Sequence, residues 1–343
     1  MSLQTKERLR QILGRFPEQH ILVVGDVMLD EYIWGEAERI SPEAPVIVVN
    51  VQRRTYVPGG AGNVVNNVRA LGAKASIIGV VGQDEAGQKL RASLERNGVD
   101  GIRLILDPTR PTTVKTRVMA HHQQVVRIDE ESRAPVGETV AGELGAALTE
   151  LMPQVDGVIV SDYAKGVLVP EVVATVLGEA AAYGRLVAVN PKPNHCTLFS
   201  GVDLLSLNEV EAETFARQEI EDEDTAEAVG QNILRELGVK GLLLTRGAKG
   251  SIIFNPGEPP HHIPVVPVEV YDVAGAGDTT ISVALLALLC GANYVEAATL
   301  ASYAAAAVVR KVGVATVTWE EIQELITGTG EDSKNIGGTG KTH

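Results

Sequence analysis

The sequence predicts an α/β fold: three layers, α/β/α, around a mostly parallel central sheet, with a small inserted antiparallel β lid. Three observations predict it. Short apolar runs alternate with helix-like segments along most of the chain, the pattern of strands covered on both faces by crossover helices. Two stretches, 45–56 and 112–128, break that pattern, being rich in β-formers with no helix between them. Finally, 281–289 and 295–309 are Ala-rich and apolar nearly all round, as buried helices are.

The elements follow in order. Residues 5–13 read as a polar helix without a continuous apolar core, so no signal peptide is visible. The run 21–25 ends in Gly25-Asp26 like a central parallel strand. A helix is predicted over 62–71, a strand over 76–81, and a helix over 86–97 that stops at Gly98. A helix at 140–151, a buried strand at 157–160, a helix at 172–183 ended by Gly184, and a strand at 186–189 come next. Segments 204–207, 225–237 and 242–245 continue the alternation. A strand-like run over 265–271 then precedes a long apolar helix starting near Gly277. In the β-rich stretches, Val46-Ile-Val-Val-Asn-Val51 is apolar, and 114–118 alternates with Lys115 and Arg117. A small sheet beside a cleft serves as a lid; the alternative is an edge extension of the main sheet.

Composition sets limits. At 343 residues the chain holds one large α/β domain or two smaller ones. A formal net charge of −14 argues against a nucleic-acid partner. The longest apolar stretch, 281–290, is too short to span a bilayer, so no membrane partner is expected. Cys196 and Cys290 form no metal-like spacing, and a reduced, cytoplasmic protein is the simplest reading. His121-His122 and His261-His262 are adjacent pairs, which point to opposite faces of an extended chain and so make no metal site. From about Gly328 the chain is Gly, Ser, Thr and charge, and reads as disordered. Its Gly337-Gly-Thr-Gly-Lys-Thr342 imitates a phosphate-binding loop but has Asn335 where the first glycine belongs, no strand before it and no helix after it.

The chemistry concentrates at strand ends. In Asp272-Val-Ala-Gly-Ala-Gly-Asp-Thr-Thr280, Gly275, Ala276 and Gly277 would let a phosphate approach backbone N–H groups at a helix start. Asp278 adds a carboxylate there, which suits proton removal from an attacking hydroxyl better than phosphate binding alone. Gly59-Gly-Ala-Gly-Asn63 opens a helix where backbone can approach a polyhydroxy ligand, though such glycine turns are common. Asp26 and Asp30 put carboxylates at the carboxy end of the first strand, where open α/β sheets bind ligands; an N-cap role is the plain alternative for Asp26. Ser161-Asp162-Tyr163-Ala-Lys165-Gly166, Asn190-Pro-Lys192 and Asn208-Glu-Val-Glu211 follow three consecutive strands. Asn208 and Glu211 suit hydrated Mg²⁺, with a helix N-cap as the alternative for Asn208. Lys192 would meet an anionic group. Thr245-Arg-Gly-Ala-Lys-Gly250 offers glycines against a nucleotide, or only a β-turn. No Gly-x-Gly-x-x-Gly follows the first strand, which ranks a dinucleotide oxidoreductase low.

Taken together, the early Gly-Gly segment and the late Gly-Ala-Gly-Asp resemble the two signatures of the ribokinase-like PfkB carbohydrate kinases, over roughly residues 21–326. Gly25-Asp-Val-Met-Leu-Asp30, Arg39-Ile-Ser-Pro-Glu-Ala-Pro45, Pro58-Gly-Gly-Ala-Gly-Asn63, Gln123-Gln124 with Arg127-Ile-Asp129, Ser161-Asp-Tyr-Ala-Lys-Gly166 and Tyr271-Asp-Val-Ala-Gly-Ala-Gly-Asp-Thr279 look like the D-glycero-D-manno-heptose 7-phosphate kinases. These form the RfaE or HldE kinase domain, and the chain resembles its kinase-only form.

The resemblance implies a single ribokinase-like kinase domain over 1–330, with the lid at about 32–57 and 110–129, and a disordered tail at 331–343. It implies ATP and Mg²⁺, and phosphorylation of D-glycero-β-D-manno-heptose 7-phosphate to the 1,7-bisphosphate, a step toward ADP-heptose and lipopolysaccharide core. Asp278 would be the general base and Gly275, Ala276 and Gly277 the anion hole. Asp26, Asp30, Gly59, Gly60 and Asn63 would hold sugar hydroxyls. Lys192, with Arg117 or Arg127 from the lid, would meet the sugar's phosphate. Asn208 and Glu211 would place Mg²⁺, with Glu211 acting through water, while Thr245, Gly247 and Gly250 would line the ATP site. The loop with Asp272 is a candidate K⁺ position. One departure stands out: Asn190 replaces the acid of the usual Asp-Pro-Lys. The alternatives are another PfkB kinase acting on a ketose phosphate, pentose or nucleoside, or a non-catalytic sugar or nucleotide sensor. The apolar lid strand at 46–51 suits pairing across a two-fold axis, and hence a homodimer.

Overall fold

The structure, a computed structural model, describes residues 2–120 and 123–328, apart from the Glu38 side chain. His121-His122, the expected disordered tail and its phosphate-loop imitation lie outside the described residues.

The elements begin with α1 (Leu3–Leu13), β1 (His20–Gly25), β2 (Val27–Ile40), β3 (Ile47–Gly60), α2 (Ala61–Ala70), β4 (Lys74–Val81), α3 (Glu85–Arg96) and β5 (Gly101–Leu106). Then come β6 (Val114–Ala120), β7 (Gln123–Glu130), α4 (Glu138–Leu151), β8 (Gly157–Ser161), α5 (Pro170–Tyr183), β9 (Leu186–Asn190), β10 (Leu204–Asn208), α6 (Glu209–Ala216) and α7 (Glu223–Leu237). The last are β11 (Leu242–Thr245), β12 (Ser251–Phe254), β13 (His261–Ile263), α8 (Ala276–Leu289), α9 (Tyr294–Val308) and α10 (Trp319–Thr327).

The main sheet has nine strands in the order β13-β12-β11-β10-β9-β8-β1-β4-β5. Pairing is parallel from β5 across to β11, and β12 and β13 are added antiparallel at the edge. The period-2 alternation of β1 explains the layers. Ile21 and Val23 face a core built with α1, α2, α3, α8, α9 and α10, while Leu22 and Val24 face one built with α4 to α7. Because β1 is covered on both sides, it reads as a continuous apolar run, all of 21–24 being fully buried.

A separate four-stranded sheet, ordered β3-β2-β6-β7, makes the lid. It is not an extension of the main sheet's edge. Two of its pairings are antiparallel, and β2 runs parallel to β6. β2 starts just after β1, so the lid grows directly out of the main sheet. Asp30, expected at the carboxy end of the first strand, therefore sits in the lid, opposite Val57 on β3 and Lys115 on β6.

One expected element is absent. Residues 265–271 form no strand. Pro264 and Pro267 lack the N–H groups a ladder needs, and Val265, Val270 and Tyr271 stay exposed. At its end the amides of Tyr271 and Asp272 donate to Val309 O at 2.8 and 3.2 Å.

Candidate active site

The strand order lines up the carboxy ends of β1, β8, β9, β10 and β11. From β1 the chain goes first to β4 and β5 on one side, then to β8 on the other. Such a switch point opens a crevice above the strand ends, the usual ligand position in this type of sheet. Asp26 follows β1, Asp162 follows β8, Lys192 follows β9, Asn208 ends β10 and Thr245 ends β11.

Asp278 stands in the first turn of α8 and is 5% exposed. Its Oδ2 accepts a hydrogen bond from Asn63 Nδ2 at 2.7 Å, and its Oδ1 accepts one from Tyr163 Oη at 2.8 Å. Burial removes water from the carboxylate and pushes its pKa up to about 6. The Asn63 and Tyr163 bonds and the Lys192 charge pull the other way, while the Asp30 charge adds to the rise. Asn67 Nδ2 donates to Asn63 O at 2.9 Å, and Thr279 Oγ1 donates to Asn67 Oδ1 at 2.8 Å, so α2 and α8 are locked beside the carboxylate.

The glycines have distinct reasons to be there. Gly275 is the N-cap of α8 with φ +80°, and a Cβ on it would meet Asn63 Nδ2 at 2.8 Å. Nothing lies within 4 Å of where a Gly277 Cβ would point, so its backbone faces open space. Ala276 N already donates to Val273 O at 3.2 Å. Gly60 caps α2 with φ +57°, and Gly59 packs against the Asp30 carboxylate.

Asp26 is 1% exposed, and its carboxylate is fully engaged. It accepts from the backbone amides of Tyr163 and Lys165 at 2.8 and 3.1 Å through Oδ2, and from Val167 N at 3.4 Å through Oδ1. It caps no helix: it fixes the 161–167 loop. Asp30 is 3% exposed and pairs with Arg117, whose guanidinium also lies 5.3 Å over the Tyr32 ring. Burial raises the Asp30 pKa, and Arg117 opposes the rise. Arg127 sits opposite Arg117 across β6–β7 but is exposed and bonded to Asp129 at 2.9 Å.

Lys192 Nζ is 2.7 Å from Glu211 Oε1 and 5.5 Å over the Tyr163 ring. Glu211 and Asn208 form a capping box at the start of α6: Glu211 N donates to Asn208 Oδ1 at 2.9 Å, and Asn208 N to Glu211 Oε2 at 3.1 Å. The capping alternative for Asn208 thus holds, without removing the pair from the cleft. Asn190 Nδ2 donates to Ser206 O at 3.0 Å, a bond an aspartate could not make in its charged form. Thr245 ends β11, and Gly247 (φ +56°) and Gly250 (φ +84°) shape the turn after it. Asp272 Oδ1 and Oδ2 accept from Ala274 N and Gly313 N, both at 2.9 Å.

Sequence reasoning gave no role to Asp162, Tyr163 or His195. Asp162 Oδ2 accepts from Lys192 N at 2.9 Å and lies 2.8 Å from His195 Nδ1. For Asp162 and Tyr163 the sequence offered the segment 161–166 just past a strand; for His195 it offered no signal. His262, from the second histidine pair, contacts Glu227 at 2.6 Å. No helix among the described residues is long and apolar enough to cross a membrane.

Comparisons with known proteins bear on the family and the fold. The profile described as "pfkB family carbohydrate kinase" matches residues 18–321. The "Bifunctional protein HldE" of Pelobacter propionicus is 42% identical over 328 residues, 96% of this chain and 67% of that one. Its namesake from Desulfatibacillum aliphaticivorans is 43% identical over 308 residues, 90% of this chain and 63% of that one. The chain thus spans about two thirds of the length of these curated relatives. Among solved structures, phosphofructokinase-2 from Escherichia coli in complex with potassium superposes with a TM-score of 0.75 at 18% identity, covering 90% of this chain and 99% of that one. Arabidopsis thaliana ribokinase complexed with ribose and ATP gives 0.68 at 20% identity, covering 90% and 98%.

Proposed function

Since the chain belongs to the pfkB family of carbohydrate kinases, we propose that it transfers the γ-phosphoryl group of ATP to a hydroxyl of a sugar phosphate, with Asp278 as general base. The observation that carries this reading is the carboxylate of Asp278, buried at the head of α8 beside the glycine-rich turn. The sugar hydroxyl gives its proton to Asp278 as its oxygen bonds to the γ-phosphorus. The bond from that phosphorus to the bridging oxygen breaks, and ADP leaves. Backbone N–H groups at Gly275, Ala276 and Gly277, with the positive end of α8, stabilise charge on the transferring group; for Ala276 this requires giving up its bond to Val273 O.

Asp30, Gly59, Gly60 and Asn63 form the sugar wall, with Asp26 supporting it from behind through the 161–167 loop. Arg117 and Lys192 each already hold a carboxylate, Asp30 and Glu211, that a sugar phosphate would have to share. Arg127 is exposed on the lid and would have to leave Asp129 to reach the sugar's phosphate. Thr245, Gly247 and Gly250 take the nucleotide side. Mg²⁺ would neutralise the ATP phosphates as charge builds. Asn208 and Glu211 fit it: with both Glu211 oxygens engaged, contact through water suits an ion that keeps much of its hydration. Asp272 fits K⁺ less directly, because its oxygens hold the loop amides; it shapes that site rather than offering a free ligand.

For the substrate we favour D-glycero-β-D-manno-heptose 7-phosphate, giving the 1,7-bisphosphate for ADP-heptose and lipopolysaccharide core. This rests on the HldE-named relatives at 42 and 43% identity. Another PfkB kinase of a ketose phosphate, pentose or nucleoside is the second reading, favoured by Asn190. A sensor has no use for a base at position 278. We also propose that the lid pairs with a second copy, since Ile40, Ile47, Val51, Val125, Val126 and Ile128 are exposed on it.

The test is Asp278→Asn with an ADP-release assay over a sugar panel. Turnover should fall by about 10³-fold or more while ATP and sugar binding survive. Near-normal turnover removes the base assignment, and preference for a non-heptose sugar removes the substrate assignment alone.

A further inference from the structure

Tyr163 belongs to no part of the reaction described so far, yet its hydroxyl is one of the two groups that touch the Asp278 carboxylate. Its surroundings are unusually constrained. Asp26 takes three backbone amides of this loop, as described above. Arg110 clamps it from another side: Nη1 donates to Lys165 O at 3.0 Å, Nη2 to Ala134 O at 2.8 Å, and Nε to Asp107 Oδ2 at 2.8 Å. Lys165 Nζ pairs with Glu131, just past the last lid strand, at 2.5 Å. Ala164 holds φ +53°, a left-handed conformation that a residue with a Cβ rarely adopts. Gly166, at φ +80°, packs so tightly that a Cβ would collide with Ala134 O. Backbone strain of this kind persists only where the surroundings over-determine it, and it gathers at functional sites.

We propose that Tyr163 is a positioning residue for the base: its hydroxyl fixes the Asp278 carboxylate through Oδ1, and the 162–166 loop is built to hold it there. The inference rests on the reading of Asp278 as base. With Asn63 on Oδ2 and Tyr163 on Oδ1, both carboxylate oxygens are held, which restrains rotation of the group. A donor to the charged form also favours ionisation. Tyr163 stays a donor, because burial and the neighbouring Asp278 hold its phenol well above its usual range. The charged groups that bear on this pair are Asp30 from β2, with Arg117 behind it, Lys192 after β9 and Glu211 from α6. None of them replaces a lost hydroxyl on Oδ1.

The experiment is the pH profile of kcat/KM for the preferred phosphosugar, in wild type and in Tyr163→Phe. In wild type, kcat/KM should fall tenfold per pH unit below a limb near the Asp278 value of about 6. In Tyr163→Phe the limb should move up by about one unit, so that near pH 6 the rate falls by up to about tenfold, with KM for ATP unchanged. An unshifted limb overturns the proposal. Should Tyr163→Phe fail to bind ATP, 3-fluorotyrosine at position 163 serves instead: its more acidic hydroxyl is a stronger donor and must move the limb down. An unmoved limb there overturns the proposal too. The base reading fails separately, by near-normal turnover of Asp278→Asn. Loss of turnover in that variant with an unshifted limb in Tyr163→Phe rejects only the role of Tyr163.

Discussion

Asp278, the proposed base, carries a cost in stability. Its pKa is raised by burial to about 6, above the 3.9 or so expected of an unfolded aspartate. A group with a raised folded pKa favours the folded state below its unfolded value, and that contribution is lost as pH rises through the folded value. The protein without ligands should therefore lose stability between about pH 4 and 6, by at most about 3 kcal/mol for a shift of roughly two units. Asp278→Asn should melt higher than wild type at pH 8, and the gap should close at pH 4. Melting curves at the two pH values check this, and equal curves at pH 8 would show that the buried charge costs nothing. Asp26 shows where residue-scale reading stops. A carboxylate at a strand end suits a sugar hydroxyl and a loop amide equally, and only the folded neighbours reveal that Tyr163, Lys165 and Val167 claim it. Asp278 could be singled out from sequence because its glycine context is chemically distinctive. Tyr163 was not, because a phenol has no positional signature until its partner, 115 residues away, is in place.

Elements differ in how plainly the chain announces them. The strands β1, β4 and β8 and the helix α5 were legible because apolar runs and the stop at Gly184, which does adopt the left-handed C-cap with φ +63°, are local signals. The 14-residue β2 was not, because Gly35 and the register shifts around it interrupt the alternation that marks a strand. The same limit applied to 265–271, where valines suggested a strand and two prolines forbade it. The start of α8 is the most demanding junction. Gly275→Ala would force a side chain into a left-handed position and against Asn63 Nδ2, 2.8 Å away. We expect a stability loss of about 1–2 kcal/mol and a turnover loss of about tenfold or more, because the Asn63–Asp278 bond is the first thing displaced. Calorimetry with steady-state kinetics would check both, and unchanged turnover would show that Asn63 does not matter to the base.

At the scale of the whole molecule, the lid has two unlike faces. Strand alternation puts Arg117 and Arg127 on one side of the sheet and Val126 and Ile128 on the other. Val126 and Ile128 are 47 and 50% exposed, and a second copy is the proposed cover. Wild type should sediment as a dimer and Ile128→Lys as a monomer; a wild-type monomer at micromolar concentration would reject the pairing. The meeting of Asn63, Tyr163 and Asp278 has a further meaning. These contacts span 215 and 115 residues of chain. Loops that long close late, after the local structure around them has formed. During synthesis, the glycine turn and the tyrosine loop emerge long before α8. A chain that has not yet reached α8 therefore lacks the proposed base, and on that reading turnover waits for this helix to be made.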